Sequence, residues 1–133
     1  MEKHIRKILI LLLIIGSSSC ADVDYVQYLN FFYINQSGYD FEKIEIFRGN
    51  KNETYQLNNT DTLKIFTTDD GNEIVMMHAD SVNIFYNGMV KKYVHYDYDL
   101  SSPLSLKGYV EHRTGKHDNY HDYFYVFSKE EFE

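Results

Sequence analysis

Apolar and polar side chains alternate along most of the chain beyond residue 26. In the stretch QYLNFFYI this alternation divides the side chains between two faces, with Tyr28, Asn30, Phe32 and Ile34 on one and Leu29, Phe31 and Tyr33 on the other. Successive side chains of a strand point to opposite faces of a sheet, so a period of two predicts β-structure. Similar segments recur about every ten residues, which is the spacing of a β-sandwich or barrel.

Turn signals separate the predicted strands. The strands are QYLNFFYI, YDFEKIEIF, TLKIFT, NEIVMMH, SVNIFY, MVKKYVHY, LKGYVEH and YHDYFYVF. Asn87-Gly88 is the strongest turn signal, because a type I′ turn needs positive φ at both central residues. TTDDGNE lacks the Asp spacing of a calcium loop and is predicted to be a hairpin turn between its flanking strands. Only the tail SKEEFE resembles a helical turn.

The number and spacing of these strands predict the fold class. We expect an all-β protein, an antiparallel β-sandwich of roughly seven to nine strands. The chain has no internal repeat, and a chain of this length forms one domain with a single core. The domain is predicted over residues 26–133.

The N-terminal segment has a different pattern. MEKHIRK carries three basic side chains, and the apolar run ILILLLII follows from Ile8 to Ile15. This run is far shorter than the roughly 20 apolar residues that a membrane-spanning helix needs. A basic head, a short apolar run and small residues after it are typical of a cleaved secretory signal peptide.

The stretch GSSSC, with the only cysteine of the chain at Cys20, resembles a bacterial lipobox. The resemblance implies that residues 1–19 are removed and that Cys20 becomes the first residue, linked through its sulfur to diacylglycerol. Ser17 stands where lipoboxes usually have Leu, a serine-rich form that resembles lipoproteins of Bacteroides-type bacteria. Cleavage after Ser19 or Ala21, which would release a soluble periplasmic protein, is the alternative.

Residues 20–25 would form an acidic tether with Asp22 and Asp24. Such a tether resembles that of surface-exported lipoproteins, although acidic residues are common in any solvated linker. We therefore expect a lipid-anchored protein of the outer membrane, on the cell surface or on the periplasmic face.

Charge excludes one class of partner. The chain has a net charge of −7, and removal of residues 1–19, with three basic and one acidic side chains, would leave a net charge of −9. Nucleic-acid binding needs clustered basic side chains, whereas the longest basic cluster of the predicted domain is the pair Lys91 and Lys92. We expect no nucleic-acid partner.

A second resemblance covers most of the mature chain. ADSVNIFYNG, the later PL and the closing FSKEEFE resemble small uncharacterised lipoproteins of Bacteroides-type gut bacteria. The resemblance implies an immunoglobulin-like sandwich, and it implies no particular activity.

The segment EHRTGKHDNYHDY is the first candidate for site chemistry. It holds metal-ligand residue types, namely His112, His117, His121, Asp118 and Asp122. His117 and His121 would lie together on a helix, but Gly115 and Asn119 indicate a loop. We therefore favour a polar hairpin loop over a metal site and expect no metal ligand and no cofactor.

A second candidate is YVHYDYDLSSP, in which Tyr93, Tyr96 and Tyr98 alternate with His95, Asp97 and Asp99. The mixture could stack on a sugar ring and bind its hydroxyls, but alternation of this kind also arises from one wet face of a sheet, and we favour that reading. The chain contains none of the common catalytic motifs, and we expect it not to be an enzyme.

Two further stretches resemble the O-glycosylation signal of Bacteroides-type bacteria. They are DTL, with Thr62 as the acceptor, and DSV, with Ser81 as the acceptor. The alternative is that Asp and a hydroxyl residue begin a strand by turn chemistry.

Together these observations predict a lipid-anchored envelope protein that acts as a binding or structural module, anchored to the membrane through Cys20, with an unidentified protein or glycan partner. The alternative is a glycan-acting envelope enzyme or a carbohydrate-binding accessory protein.

Overall fold

The computed structural model describes residues 25–69, 71, 73–94 and 101–133. The predicted signal peptide, Cys20, Asp22, Asp24 and the segment 95–100 lie outside the described residues. The strands are β1 (Tyr28–Asn35), β2 (Phe41–Arg48), β3 (Lys51–Leu57), β4 (Thr62–Thr68), β5 (Ser81–Tyr86), β6 (Met89–Val94), β7 (Val110–Thr114) and β8 (Tyr120–Phe127). Short 3-10 turns span Met76–His78 and Leu106–Gly108, and one turn of α-helix, α1, spans Lys129–Phe132.

The strands form two four-stranded sheets. Sheet 1 has the order β4-β1-β8-β7, and sheet 2 has the order β3-β2-β5-β6. All neighbours pair antiparallel except β1 and β8, which are parallel. The inner faces of the two sheets share one hydrophobic core, so the predicted β-sandwich is confirmed. None of the described helices is long and apolar enough to span a bilayer.

The period-two pattern of the first strand is confirmed. Phe31 and Tyr33 are fully buried, whereas Asn30 and Phe32 are only partly buried on the opposite face. The Asn87-Gly88 hairpin is confirmed as well, because both residues have positive φ (45° and 73°) between β5 and β6. The tail forms the expected helical turn.

One predicted strand is absent from the described part of the chain, and one observed strand was not predicted. NEIVMMH is not a strand among its described residues: Ile74, Val75 and Met76 are buried one after another in a connection from sheet 1 to sheet 2, and Tyr33 Oη accepts the Met76 N–H at 2.9 Å. TTDDGNE therefore does not join a hairpin, since β4 pairs with β1. Conversely, Lys51–Leu57 forms β3, which the polar pattern of KNETYQL did not predict.

LKGYVEH is a strand only in its second half. Leu106–Gly108 forms a 3-10 turn, and β7 begins at Val110. A Cβ at Gly108 would lie 2.5 Å from the Ser102 carbonyl oxygen and 2.7 Å from the Tyr125 ring, so the chain passes too close to its neighbours for any side chain there.

The crossing from β1 to β2 depends on the buried Asn35. Its Nδ2 donates to the carbonyl oxygens of Tyr39 (2.8 Å) and Leu57 (3.1 Å), and its Oδ1 accepts from the Ser37 N–H (3.1 Å) and hydroxyl (2.7 Å). Its backbone bonds to Thr60 and Asp61 before β4. The Asn35 side chain thus provides hydrogen-bond partners for buried backbone groups at the corner where the chain passes from sheet 1 to sheet 2.

Candidate functional site

The outer face of sheet 1 carries a ladder of paired side chains. Because β1 and β8 are parallel and in register, each outward side chain of one strand lies beside its counterpart on the other. The first three such pairs are Tyr28 with Tyr120, Asn30 with Asp122, and Phe32 with Phe124. We call these three pairs the aromatic ladder. A fourth pair, Ile34 with Val126, continues it.

The rings of each aromatic pair are in contact. The ring centroids are 4.8 Å apart between Tyr28 and Tyr120 and 4.7 Å apart between Phe32 and Phe124, with the planes within 21° and 8° of parallel. Cross-strand aromatic pairs at this distance stabilise a sheet. They also leave apolar surface at the solvent side.

The flanking strands widen this surface. On β4, Phe66 lies beside Asn30, and Lys64 Nζ is 5.3 Å from the Phe32 ring centroid. On β7, His112 lies beside Asp122 and meets the Phe124 ring edge-on, with 5.5 Å between centroids. Large apolar side chains on this face remain widely exposed: Phe66 (47%), Tyr120 (42%), Val126 (41%) and Val110 (61%).

A polar pair separates the two aromatic pairs. Asn30 Nδ2 donates to Asp122 Oδ1 at 2.7 Å. A carboxamide has a second N–H and a carbonyl oxygen, and a carboxylate accepts several hydrogen bonds, so the pair keeps capacity for a ligand. An apolar surface with a few placed polar groups is the usual composition of a ligand site.

A groove continues the face beyond the ladder. Its volume is about 530 Å³, and its lining includes Val110, Phe124, Val126, Glu130 and Glu131. The three apolar residues belong to the outer face of sheet 1, and the two carboxylates belong to α1. Apolar side chains of sheet 1 therefore line one side of the groove, and the carboxylates of α1 line the other.

Glu130 and Glu131 differ in their surroundings. The Glu130 carboxylate accepts hydrogen bonds from the Glu130 backbone N–H and from the Ser128 hydroxyl, and these bonds lower its pKa. Glu131 Oε1 accepts from the hydroxyls of Tyr93 and Tyr125, the latter at 3.0 Å. Burial, with the negative charge of Glu131 nearby, raises the pKa of both tyrosines. Both tyrosines thus remain protonated donors that hold α1 against the sandwich.

The outer face of sheet 2 has the ordinary composition of a solvated sheet. Lys43 pairs with Glu45 at 2.9 Å, and its ammonium lies 4.1 Å from the Phe85 ring centroid. The Phe85 ring is thus covered by a lysine that is itself ion-paired, whereas Lys64 stands near only one ring of the aromatic ladder.

The histidine segment forms the β7–β8 hairpin. His117 and Asp118 lie in its turn, whereas His112 and His121 lie on the two strands. His117 stacks on Tyr25, with 4.4 Å between ring centroids. The described residues contain no group of three or more His, Cys, Asp or Glu side chains placed to hold a metal ion.

His121 belongs to a polar cluster at the margin of the inner face. Its Nδ1 is 2.8 Å from Glu111 Oε1, and its Nε2 is 2.5 Å from Gln27 Oε1. Arg113 makes two hydrogen bonds to the Glu111 carboxylate, at 2.8 and 3.2 Å. Arg113 first, and then His121, lower the pKa of the Glu111 carboxyl to about 2.

The structure describes only part of the tyrosine-rich candidate YVHYDYDLSSP. Tyr93 is buried, with its hydroxyl on Glu131, so it is not a surface stacking residue. His95, Tyr96, Asp97, Tyr98 and Asp99 lie outside the described residues.

The two candidate glycosylation residues begin strands. Thr62 is exposed at the first position of β4, and Ser81 is partly buried at the first position of β5. Asp80, before Ser81, accepts the Gly49 N–H at 2.7 Å and so anchors the β2–β3 turn, in agreement with turn chemistry. Glycosylation of Thr62 and Ser81 stays a prediction.

The aromatic ladder was not identified as a site from the sequence. The pattern did place Tyr28, Asn30 and Phe32 on one face, and YHDYFYVF has the same order of aromatic, polar and aromatic residues at every second position. That repetition is the signal that could have suggested two matching strands. Their parallel pairing joins residues more than 90 positions apart and leaves no local trace.

The chain matches no protein-family model, no curated protein and no solved structure.

Proposed function

We propose that this protein is a lipid-anchored lipoprotein of the outer membrane whose β-sandwich serves as a binding module. One observation carries the binding role, namely the wide, mostly uncharged aromatic face of sheet 1. Large exposed apolar patches on soluble domains commonly mark interaction sites. On the outer face of sheet 2 an ion pair lies over Phe85, and among the described residues Val90 is the one widely exposed large apolar side chain there (55%), against four on sheet 1.

The proposed anchor fits the position of this face. Cys20 is eight residues before Tyr28, so the first pair of the ladder lies at most about 29 Å from the lipid-bearing residue. Both central strands run away from that end, because β1 and β8 are parallel. The ladder would extend outward from the membrane, with the groove at its far end.

We also propose membership of the small Bacteroides-type lipoproteins and an immunoglobulin-like class for the sandwich. Two facing sheets of mainly antiparallel strands support the class. The four-and-four division of strands differs from the four-and-three division of constant-type immunoglobulin domains.

A second candidate function, a glycan-acting enzyme or carbohydrate-binding accessory protein, is favoured by the groove. Carboxylates beside aromatic residues are the components of glycosidase sites, which need one carboxyl group with a raised pKa as proton donor. The pKa of Glu130 is lowered, so this residue suits hydrogen bonding to a ligand better than proton donation. The groove therefore supports binding more than hydrolysis.

The anchor is tested by Cys20→Ala. We expect loss of metabolic labelling by an alkyne fatty acid and transfer of the protein out of the detergent phase. The β-domain should stay folded, because residue 20 precedes every strand. Wild-type membrane retention of Cys20→Ala, or a mature unlipidated chain that begins at Asp22, would refute the anchor.

The binding role is tested by photo-crosslinking in intact cells. A benzoylphenylalanine replaces Val126 on the outer face of sheet 1 or, as the matched control, Phe85 on the outer face of sheet 2. We expect a reproducible adduct from position 126 that position 85 does not give. Equal products from both positions would contradict a dedicated binding face.

A further inference from the structure

We infer that the aromatic ladder binds a neutral, hydroxyl-rich glycan chain that lies along β1 and β8. The inference rests on the proposed binding function and assigns its ligand class. It depends on three properties of the face: the central polar pair, the small number of charges and the distance between the aromatic pairs.

The polar pair discriminates between ligand classes. Asn30 and Asp122 share one hydrogen bond and lie between two aromatic pairs, so any ligand that covers the face also covers them. An apolar protein surface or lipid would leave their remaining polar atoms without hydrogen-bond partners, which is unfavourable. Sugar rings supply apolar C–H groups to the aromatic side chains and hydroxyls, which both donate and accept, to Asn30 and Asp122.

The charges of the face favour a neutral glycan over an anionic one. Lys64 is near one aromatic pair, whereas Asp122 lies at the centre and two carboxylates line the groove. The whole chain has a net charge of −7. An acidic polysaccharide would therefore meet repulsion both at the site and over the surrounding surface.

The spacing of the ladder favours a chain over a single sugar. Tyr28 and Phe32 are four residues apart on one strand, which corresponds to about 13 Å at 3.3 Å per residue. The surface continues through Ile34 and Val126 into the groove. A ligand that uses both aromatic pairs must be an extended oligosaccharide, and affinity should rise with its length.

The test uses the full chain, purified in detergent, in native affinity gels that contain soluble polysaccharides. The neutral probes are a β-glucan, a xylan, a mannan and an α-glucan, and polygalacturonate is the anionic comparison. We expect at least one neutral polymer to retard the protein. Tyr120→Ala and Asp122→Ala should each weaken this binding on the order of tenfold, as loss of a central contact does.

Phe85→Ala on sheet 2 is the matched control and should leave binding unchanged. Asp122→Asn keeps the shape of the side chain and one acceptor oxygen for Asn30, and its NH2 group can donate to a sugar hydroxyl, so it should retain binding that Asp122→Ala loses. Thermal unfolding of each variant shows whether weaker binding comes from loss of the fold.

Three results would overturn the inference: no retardation by any neutral polymer, stronger retardation by polygalacturonate, or equal losses from Phe85→Ala and Tyr120→Ala. A protein adduct specific to position 126, together with no polysaccharide binding, would refute the glycan while the binding module stands. No specific adduct and no polysaccharide binding would refute both.

Discussion

At the scale of single residues, the buried Asn35 fixes the corner where the chain leaves β1. Asn35 is fully buried, and both ends of its carboxamide are hydrogen-bonded at the point where β1 leaves sheet 1. An apolar side chain of the same size would leave the Leu57 carbonyl oxygen and the Ser37 N–H without these partners. The same residue heads an Asn-Gln-Ser glycosylation sequon, and its burial excludes it as an acceptor in the folded protein.

A pH-dependent contribution to stability is expected from Glu111. Arg113 and His121 lower its pKa to about 2 from an ordinary value of 4.5. A lowered pKa in the folded state means that the contribution is complete above about pH 4.5 and is lost as the pH falls toward 2. Solvent screening at this partly exposed site reduces it to about 1 kcal/mol. Urea unfolding of Glu111→Gln and wild type between pH 7 and 2 should show a stability difference that disappears in acid.

Arg113→Gln is the companion variant, because it removes the largest cause of the shift while the Glu111 carboxyl stays in place. It should show a smaller acid-dependent loss of stability than the wild type. A difference between Glu111→Gln and wild type that is constant at every pH would show that the carboxylate is not linked to folding.

At the scale of elements, the sequence predicted the turns and strands that are determined by neighbouring residues in the chain. Asn87-Gly88 indicates its turn because few other residue pairs adopt positive φ twice. KNETYQL was missed as β3, because an edge strand with one wet face carries too few apolar residues to show the period of two. NEIVMMH was misread as a strand, because a short apolar run is equally compatible with a buried connection. The aromatic ladder needed a pairing that no local pattern contains.

The helical turn α1 is small, but it closes one end of the sandwich. The Phe132 ring lies 4.9 Å from both the Phe41 and the Tyr86 ring centroids of sheet 2 and 6.1 Å from that of Phe127 of sheet 1. Phe132→Ala should lower the free energy of unfolding by about 3 kcal/mol or more, since it leaves a cavity between the sheets. Denaturant unfolding monitored by tyrosine fluorescence measures the loss.

The control for this variant lies on the same turn. Glu133→Ala breaks the exposed Lys129–Glu133 pair, whose atoms are 3.0 Å apart, and should leave the free energy of unfolding close to the wild-type value, because solvent screens this pair. Similar losses from Phe132→Ala and Glu133→Ala would mean that α1 does not contribute through its buried ring.

At the scale of the whole molecule, the first and last strands of the described domain are neighbours. β1 and β8 occupy the centre of sheet 1 and pair from Tyr28 with Tyr120 to Asn35 with Phe127. This contact closes a loop of nearly the whole domain, so its formation costs chain entropy and we expect the domain to fold more slowly than one built from local contacts. Because this contact is at the centre of the sheet, breaking it splits sheet 1 into the strand pairs β4-β1 and β8-β7.

The amide exchange rates measured by native-state hydrogen exchange should therefore depend on whether a strand is central or at an edge of its sheet, and not on its order in the chain. We expect the slowest amides in the central strands β1, β8, β2 and β5, where exchange requires global unfolding, and faster exchange in the edge strands β3, β4, β6 and β7. Phe132→Ala should reduce the protection of all four central strands by the same free energy, because its ring contacts both sheets. If β8 exchanged as fast as β7, or if the variant affected only sheet 1, the two sheets would not unfold as one unit.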